Sequence, residues 1–209
     1  TISTQTNSDN VTSESLSLTP GIYTFELSKT GYSTKYQTVT VTAATTRLNF
    51  DLLSFNTASN VNSSAFATII VRWGENPRDV DSYLLFNNTN PQAVYYGNQS
   101  YGAIPSDKNN PCATSDVVAS LDLDDTTSYG PETTSICDGS KGPFEFKLHH
   151  FSGSSNIGAS PTSVELITRN GSRYEFVAPT TGFAGNDTDV WNVFTIDSNQ
   201  VVRRDNTIS

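Results

Sequence analysis

The 209-residue sequence has no methionine and only two cysteines, two histidines and two tryptophans. Charged residues make up 16% of it. No run approaches the roughly 18 consecutive apolar residues that a membrane-spanning helix needs, so no membrane insertion is expected. Helical periodicity is almost absent, because no long segment keeps an i, i+3, i+4, i+7 apolar pattern clear of Gly, Pro or β-branched runs. There is no CxxC, and no His lies within a few residues of either Cys, which argues against a zinc site. Basic residues are scarce, with 12 Lys+Arg against 21 Asp+Glu and a formal net charge of −9. Phosphate contacts need clustered Lys and Arg, so no nucleic-acid partner and no anionic membrane surface is expected. The first residues carry neither a charged n-region nor an apolar h-region, from which we expect a mature product or one segment of something longer.

What is present is small and polar. Thr, Ser and Asn number 28, 27 and 19, yet aromatics reach 11%, enough for a packed core. Strand patterning is frequent. Tyr23, Phe25 and Leu27 alternate with polar residues, as do Val39 and Val41, and Leu48, Phe50 and Leu52. Residues 67–71, 82–86, 117–121, 144–148, 163–167, 174–177 and 190–196 read the same way. Gly, Pro and Asn turns lie between them, and Asn170-Gly171 between two such runs is the strongest hairpin signal. Short strands separated by such turns predict an all-β chain of two antiparallel β-sandwich (Ig-like) units in tandem. A polar, turn-rich stretch near 54–64 sets the expected boundary, giving units 1–56 and 57–209.

The acid is uneven. Up to Asn56 the net charge is −1, and from Thr57 onward it is −8. Cys112 and Cys137, with 24 residues between them, read as a disulfide, with two buried free thiols as the alternative.

In the first unit, LTPGIYTFELSKTGYSTKYQTVTVT carries a Pro20-Gly21 turn, a strand, a Gly31 turn and a further strand. With Gly21, Tyr23, Gly31 and Tyr32 in place and a closing strand at 45–52, residues 16–53 resemble the second half of a carboxypeptidase-regulatory-like or related Ig-like domain. That resemblance implies a spacer rather than a catalyst. Only residues 1–17 are available for the strands that normally come before the Pro20-Gly21 turn, and they hold few apolar side chains. Two readings stand: a neighbouring copy or domain of the same long chain supplies a strand, or the unit is a slightly truncated domain.

In the second unit the acids gather in two segments, RWGENPRDVDSYL (72–84) and SLDLDDTTSYGPET (120–133). Asp79 and Asp81 share one face of a strand, and so do Asp122 and Asp124, while Asp125 turns away and Glu132 returns after a turn. Clustered carboxylates repel unless a cation neutralises them. Ca²⁺ suits such a set, since it takes about six to eight oxygen ligands at about 2.3–2.6 Å. The competing reading is that these Asp side chains cap turns by bonding to local backbone N–H groups. Trp73, Gly74, Asp79, Asp81 and Leu84, followed by Leu121, Asp122, Asp124, Asp125, Tyr129, Gly130, Pro131 and Glu132, resemble the YfaP-like family of secreted β-sandwich domains. FEFKLHHFSG (144–153), WNVFTID (191–197) and NTIS (206–209) continue the resemblance to about residues 65–209. It implies an extracellular or periplasmic location, often inside large surface proteins, and Ca²⁺ as the ligand of Asp79, Asp81, Asp122, Asp124, Asp125 and Glu132. The Cys pair is an addition to that pattern and brackets the second acidic segment.

Catalysis finds little support. His149 and His150 are adjacent, so on a strand they point to opposite faces. No GxSxG is present. Paired carboxylates imitate a glycosidase pair only on paper, and Trp73 and Trp191 suit a core as well as a sugar platform. Sequons occur at Asn10, Asn62, Asn87, Asn98, Asn170 and Asn186, where chance placement predicts about five. Each lies in or beside a polar turn, so all six sites accept a glycan without disturbing a core. Lys29, Lys35 and Lys147, with abundant Asn, leave room for an isopeptide bond.

The expected function is therefore a non-enzymatic extracellular or cell-surface building block of a filament, fibre or adhesin. It is Ca²⁺-stabilised and glycosylated, and it partners copies of itself or neighbouring domains. The alternative is a Ca²⁺-dependent carbohydrate-binding module holding glycans, or an accessory domain of a secreted hydrolase.

Overall fold

A computed structural model describes residues 17–27, 35–42, 65–86, 92–108 and 110–209. The chain divides into two compact units, Thr1–Phe55 and Asn56–Ser209. In the first, β1 (Gly21–Leu27) and β2 (Lys35–Val41) form an antiparallel pair in which Gly21 faces Val41 and Leu27 faces Lys35. The Tyr23 hydroxyl donates to the Thr19 carbonyl at 2.9 Å, tying the Pro20-Gly21 turn to the strand it starts. The Gly31 turn and the strand expected at 45–52 lie outside the described residues.

The second unit is a sandwich of two antiparallel sheets with no α-helix among the described residues. Its strands in chain order are β3 (Ala67–Arg72), β4 (Asp79–Phe86), β5 (Gln92–Val94), β6 (Ser100–Gly102), β7 (Val117–Leu121), β8 (Glu132–Ile136), β9 (Phe144–Ser152), β10 (Ser163–Thr168), β11 (Arg173–Val177), β12 (Val190–Ile196) and β13 (Val202–Ile208). One sheet runs β11-β10-β3-β8-β7-β6 and the other β13-β12-β9-β4-β5. Period-two patterning sets which side chains enter the core. On β9, Phe144, Phe146, Leu148 and His150 are buried while Glu145, Lys147 and His149 stay at the surface side. Val164 and Leu166 on β10, Ile69 and Val71 on β3, and Leu84 and Phe86 on β4 join them in one apolar cluster. Both tryptophans belong to that core. A register shift between Asn192 and Phe194 lets β12 bury both Val193 and Phe194, as a bulge allows.

Asn170-Gly171 forms the predicted hairpin. Gly171 sits at φ +85°, where a Cβ is disfavoured, and its N–H donates to the Thr168 carbonyl at 2.8 Å between β10 and β11. Edge strands β11 and β13, which lie in different sheets, are stitched by Arg204. Its Nη2 donates to the Glu175 carbonyl at 2.7 Å, and its guanidinium lies 4.7 Å from the Phe176 ring centroid.

Cys112 and Cys137 are bonded, joining the 3-10 turn Pro111–Ala113 to the residue that follows β8. The bond closes a loop with a sequence separation of 25. In the chain-entropy account that is worth about 3 kcal/mol. Replacing both cysteines by Ser is expected to lower the melting temperature of the oxidised protein by about 6–12 °C. An unchanged temperature in a calorimetric scan would show that the bond adds nothing to the folded state.

Candidate metal centre

Strand β4 starts at Asp79, and its first residues alternate. Val80 and Ser82 take the core side, and Asp79 and Asp81 the other. Both aspartates are nevertheless only 2% exposed. The third carboxylate, Asp124, comes from the β7–β8 connection. One oxygen from each of Asp79, Asp81 and Asp124 lies within 4.8 Å of the others. Asp79 Oδ1, Asp81 Oδ2 and Asp124 Oδ1 are buried and have no hydrogen-bond partner. Such oxygens are costly to bury unmatched.

The electrostatics record the crowding. Burial, reinforced by the charges of Asp79 and Asp124, pushes Asp81 up to about 7. Burial and then Asp124 raise Asp79, and burial and then Asp125 raise Asp124. Only oxygen donors make up this set, which favours a hard cation and suits neither zinc nor copper.

Two locks bring Asp124 to β4. The first joins the two sequence motifs. The Tyr129 N–H donates to the Gly74 carbonyl at 3.0 Å, and Gly130, at φ +66°, lies flat on Trp73. A Cβ on Gly130 would come within 2.7 Å of the indole. The second lock is Glu132. Strand β5 pairs only with Leu84, Leu85 and Phe86 of β4, so the N-terminal half of that edge has no strand partner among the described residues. There Glu132, reaching from β8 of the opposite sheet, accepts the Ser82 N–H at 3.1 Å and the Ser82 hydroxyl at 2.5 Å through Oε2. Its Oε1 accepts the Asp125 N–H at 3.4 Å, next to Asp124. Burial pushes Glu132 up to about 8 against the pull of the Ser82 hydroxyl, and the charge of Asp81 adds to the rise.

The six acids of the sequence motifs thus divide. Asp79, Asp81 and Asp124 converge. Asp122 Oδ1 accepts the N–H groups of Leu123 and Thr133 at 2.7 and 2.8 Å. Asp125 Oδ1 accepts both the N–H and the hydroxyl of Thr127 at 2.8 Å, an Asx turn. Glu132 braces the sheets. Ser82 carries a role that spacing did not reveal. Its only sequence signal was a lone hydroxyl on the apolar face of β4, between Val80 and Leu84.

The histidines part as their adjacency requires. His150 is buried on the core side. His149 stands beside Asp81, with Nδ1 3.9 Å from Asp81 Oδ2. Its Nε2 is 2.6 Å from the Asp187 carbonyl, which fixes Nε2–H as the donor. Among the sequons, Asn98, Asn170 and Asn186 are exposed, whereas Asn10, Asn62 and Asn87 lie outside the described residues. Lys147 pairs with Glu145 at 3.2 Å, beside a polar groove of about 440 Å³.

Two outcomes follow from this electrostatics. In chelator, the folded carboxyls Asp81 and Glu132 titrate near 7 and 8, above the roughly 4 of an unfolded chain. The folded state therefore binds more protons across that window, and stability falls as pH rises from about 5 to 8. A metal-free melting temperature that stays level or climbs over that range contradicts the assignment. At Glu132, the Gln substitution keeps an acceptor for Ser82 and is expected to cost under about 1 kcal/mol, whereas Ala strands the Ser82 donors and costs about 3 kcal/mol. Equal losses in urea denaturation would remove Glu132 from its bracing role.

No family model, no curated protein and no solved structure matches this chain.

Proposed function

We propose that the chain is a non-enzymatic, secreted building block of a surface filament, fibre or adhesin, whose second unit is braced by one Ca²⁺. The observation that carries this reading is the convergence of Asp79, Asp81 and Asp124 from two separate segments, each with a buried oxygen that lacks a partner. A divalent ion matches those oxygens and cancels most of their repulsion, with backbone carbonyls or waters filling the remaining positions. In this reading the ion is a staple between β4 and the β7–β8 connection. Glu132, Trp73 and Gly130 hold the frame into which it fits.

Two further features support secretion and a structural role. The Cys112–Cys137 disulfide suits an oxidising compartment. The motif residues that resemble YfaP-like domains are the ones that build the site: Trp73 and Gly74 lock onto Tyr129 and Gly130 beside the three converging aspartates. The two histidines face opposite sides of β9, so they are not placed to act on one substrate together.

Ca²⁺ at about a hundredfold excess over its Kd is expected to raise the melting temperature by about 5–10 °C over the chelated protein. Asp81→Asn combined with Asp124→Asn should abolish the rise. If Ca²⁺ leaves the melting temperature of the wild-type chain unchanged, the bracing ion is ruled out. The filament reading is checked separately by electron microscopy of native material. Polymers repeating once per chain support it, and isolated particles at high concentration oppose it.

A further inference from the structure

Beside the acidic site five rings touch in a closed circuit on the outer face of the five-stranded sheet. Tyr83 stacks on Tyr95 at 5.3 Å between centroids, Tyr95 meets Tyr96 at 5.2 Å, and Tyr96 meets Phe151 at 5.6 Å. Phe151 meets His149 at 6.4 Å, and His149 returns to Tyr83 at 6.2 Å. Two of them face solvent, Tyr96 at 41% and Phe151 at 46% exposure. Four of the five rings belong to strands or to the bridged turn residue Tyr95, so the platform is rigid.

The size of the exposed part selects its occupant. An aromatic side chain offers about 150–250 Å², so the two exposed rings present on the order of 200 Å². A stable protein partner covers about 800 Å² on each side. The patch therefore fits one or two sugar rings. One face of a pyranose carries C–H bonds with slight positive character, which suit the negative face of an aromatic ring.

The chain also holds an attachment point for such a sugar. Tyr95 and Asn98 exchange backbone hydrogen bonds at 3.1 and 2.9 Å across the two-residue turn Tyr96-Gly97. Directly paired side chains project to one face, so Asn98 shares the side of Tyr95. Asn98 is exposed, begins the sequon Asn98-Gln99-Ser100, and follows Tyr96 by two positions. Its Nδ2 donates one hydrogen to the Ala93 carbonyl at 2.8 Å, which leaves the second available for substitution.

We propose that Asn98 carries an N-linked glycan whose first sugar stacks on the rings of Tyr96 and Phe151. This inference rests on the reading of the chain as a secreted protein. The glycosyl donor is an oligosaccharide linked through pyrophosphate to a lipid. The Asn98 Nδ2–C1 bond forms, the C1–O bond to pyrophosphate breaks, and the amide proton leaves with the lipid pyrophosphate. The glycan then shields the aromatic face from solvent and from other chains.

The test uses the full chain secreted from a eukaryotic host, analysed by glycopeptide mass spectrometry and by melting. Asn98 should be occupied. Trimming to the first sugar should leave the melting temperature in place, and complete enzymatic removal should lower it by about 2–4 °C. Repeating the removal in the Tyr96→Ala, Phe151→Ala chain should give no such loss, and protons of the first sugar should move upfield only when both rings are present. Any damage from the substitutions themselves cancels in this comparison. A bare Asn98 on a secreted, disulfide-bonded chain overturns the inference and leaves the secretion reading intact. Equal losses with and without the rings overturn it as well, as does stacking of an added neutral oligosaccharide in place of the attached one. Failure of the chain to leave the cell, or its recovery with reduced cysteines, overturns both.

Discussion

Three carboxylates that share one small volume, two of them almost wholly buried, repel each other in the place where water can least relieve them. Everything near Asp79, Asp81 and Asp124 is arranged around that constraint. Without a counter-ion the group must hold protons at pH values where aspartate is normally charged, which is the direction all three side chains take. With a divalent ion the repulsion becomes attraction toward a common centre. The same atoms then cross-link strand β4 to a connection that belongs to the opposite sheet.

The frame around them is built to survive either state. Glu132 spans the two sheets and satisfies the Ser82 N–H on a stretch of β4 that no strand among the described residues covers. Gly130 accepts a left-handed backbone so that the chain can lie flat on Trp73. The disulfide anchors the end of β8 a few residues beyond Glu132. On the other side of the sandwich, Arg204 closes the corner between β11 and β13 with a hydrogen bond and a ring contact. Apolar packing of the two sheets supplies the bulk of the stability. These polar contacts decide which edges meet.

Much of this was readable in the sequence, for reasons that can be named. The period of a strand is two, so Asp79 and Asp81, and His149 and His150, could be placed by parity alone. β7 and β12 announced themselves through apolar alternation, and Asn170-Gly171 through turn chemistry. β8 was missed because Glu132, Thr134 and Ser135 are polar yet buried, which apolar patterning cannot register. β13 was missed because an edge strand with VRRDNTI has little apolar content to show. Spacing grouped Asp122, Asp124 and Asp125 as equivalents. They differ only in which backbone N–H groups lie within reach, and that depends on loop geometry. The same holds for Glu132, whose burial and contact with Ser82 depend on how the two sheets meet and not on its spacing from the aspartates. The pairing of Asp81 with His149 depended on strand order and register, which no local pattern encodes.

The most direct measurement is calorimetric titration of Ca²⁺ into the metal-free full chain near pH 7.5. The account predicts a single saturable site per chain that disappears in the Asp124→Asn protein, whose fold is checked by its melting. Absence of binding heat at any accessible Ca²⁺ concentration, or a site that survives loss of Asp124, would contradict it.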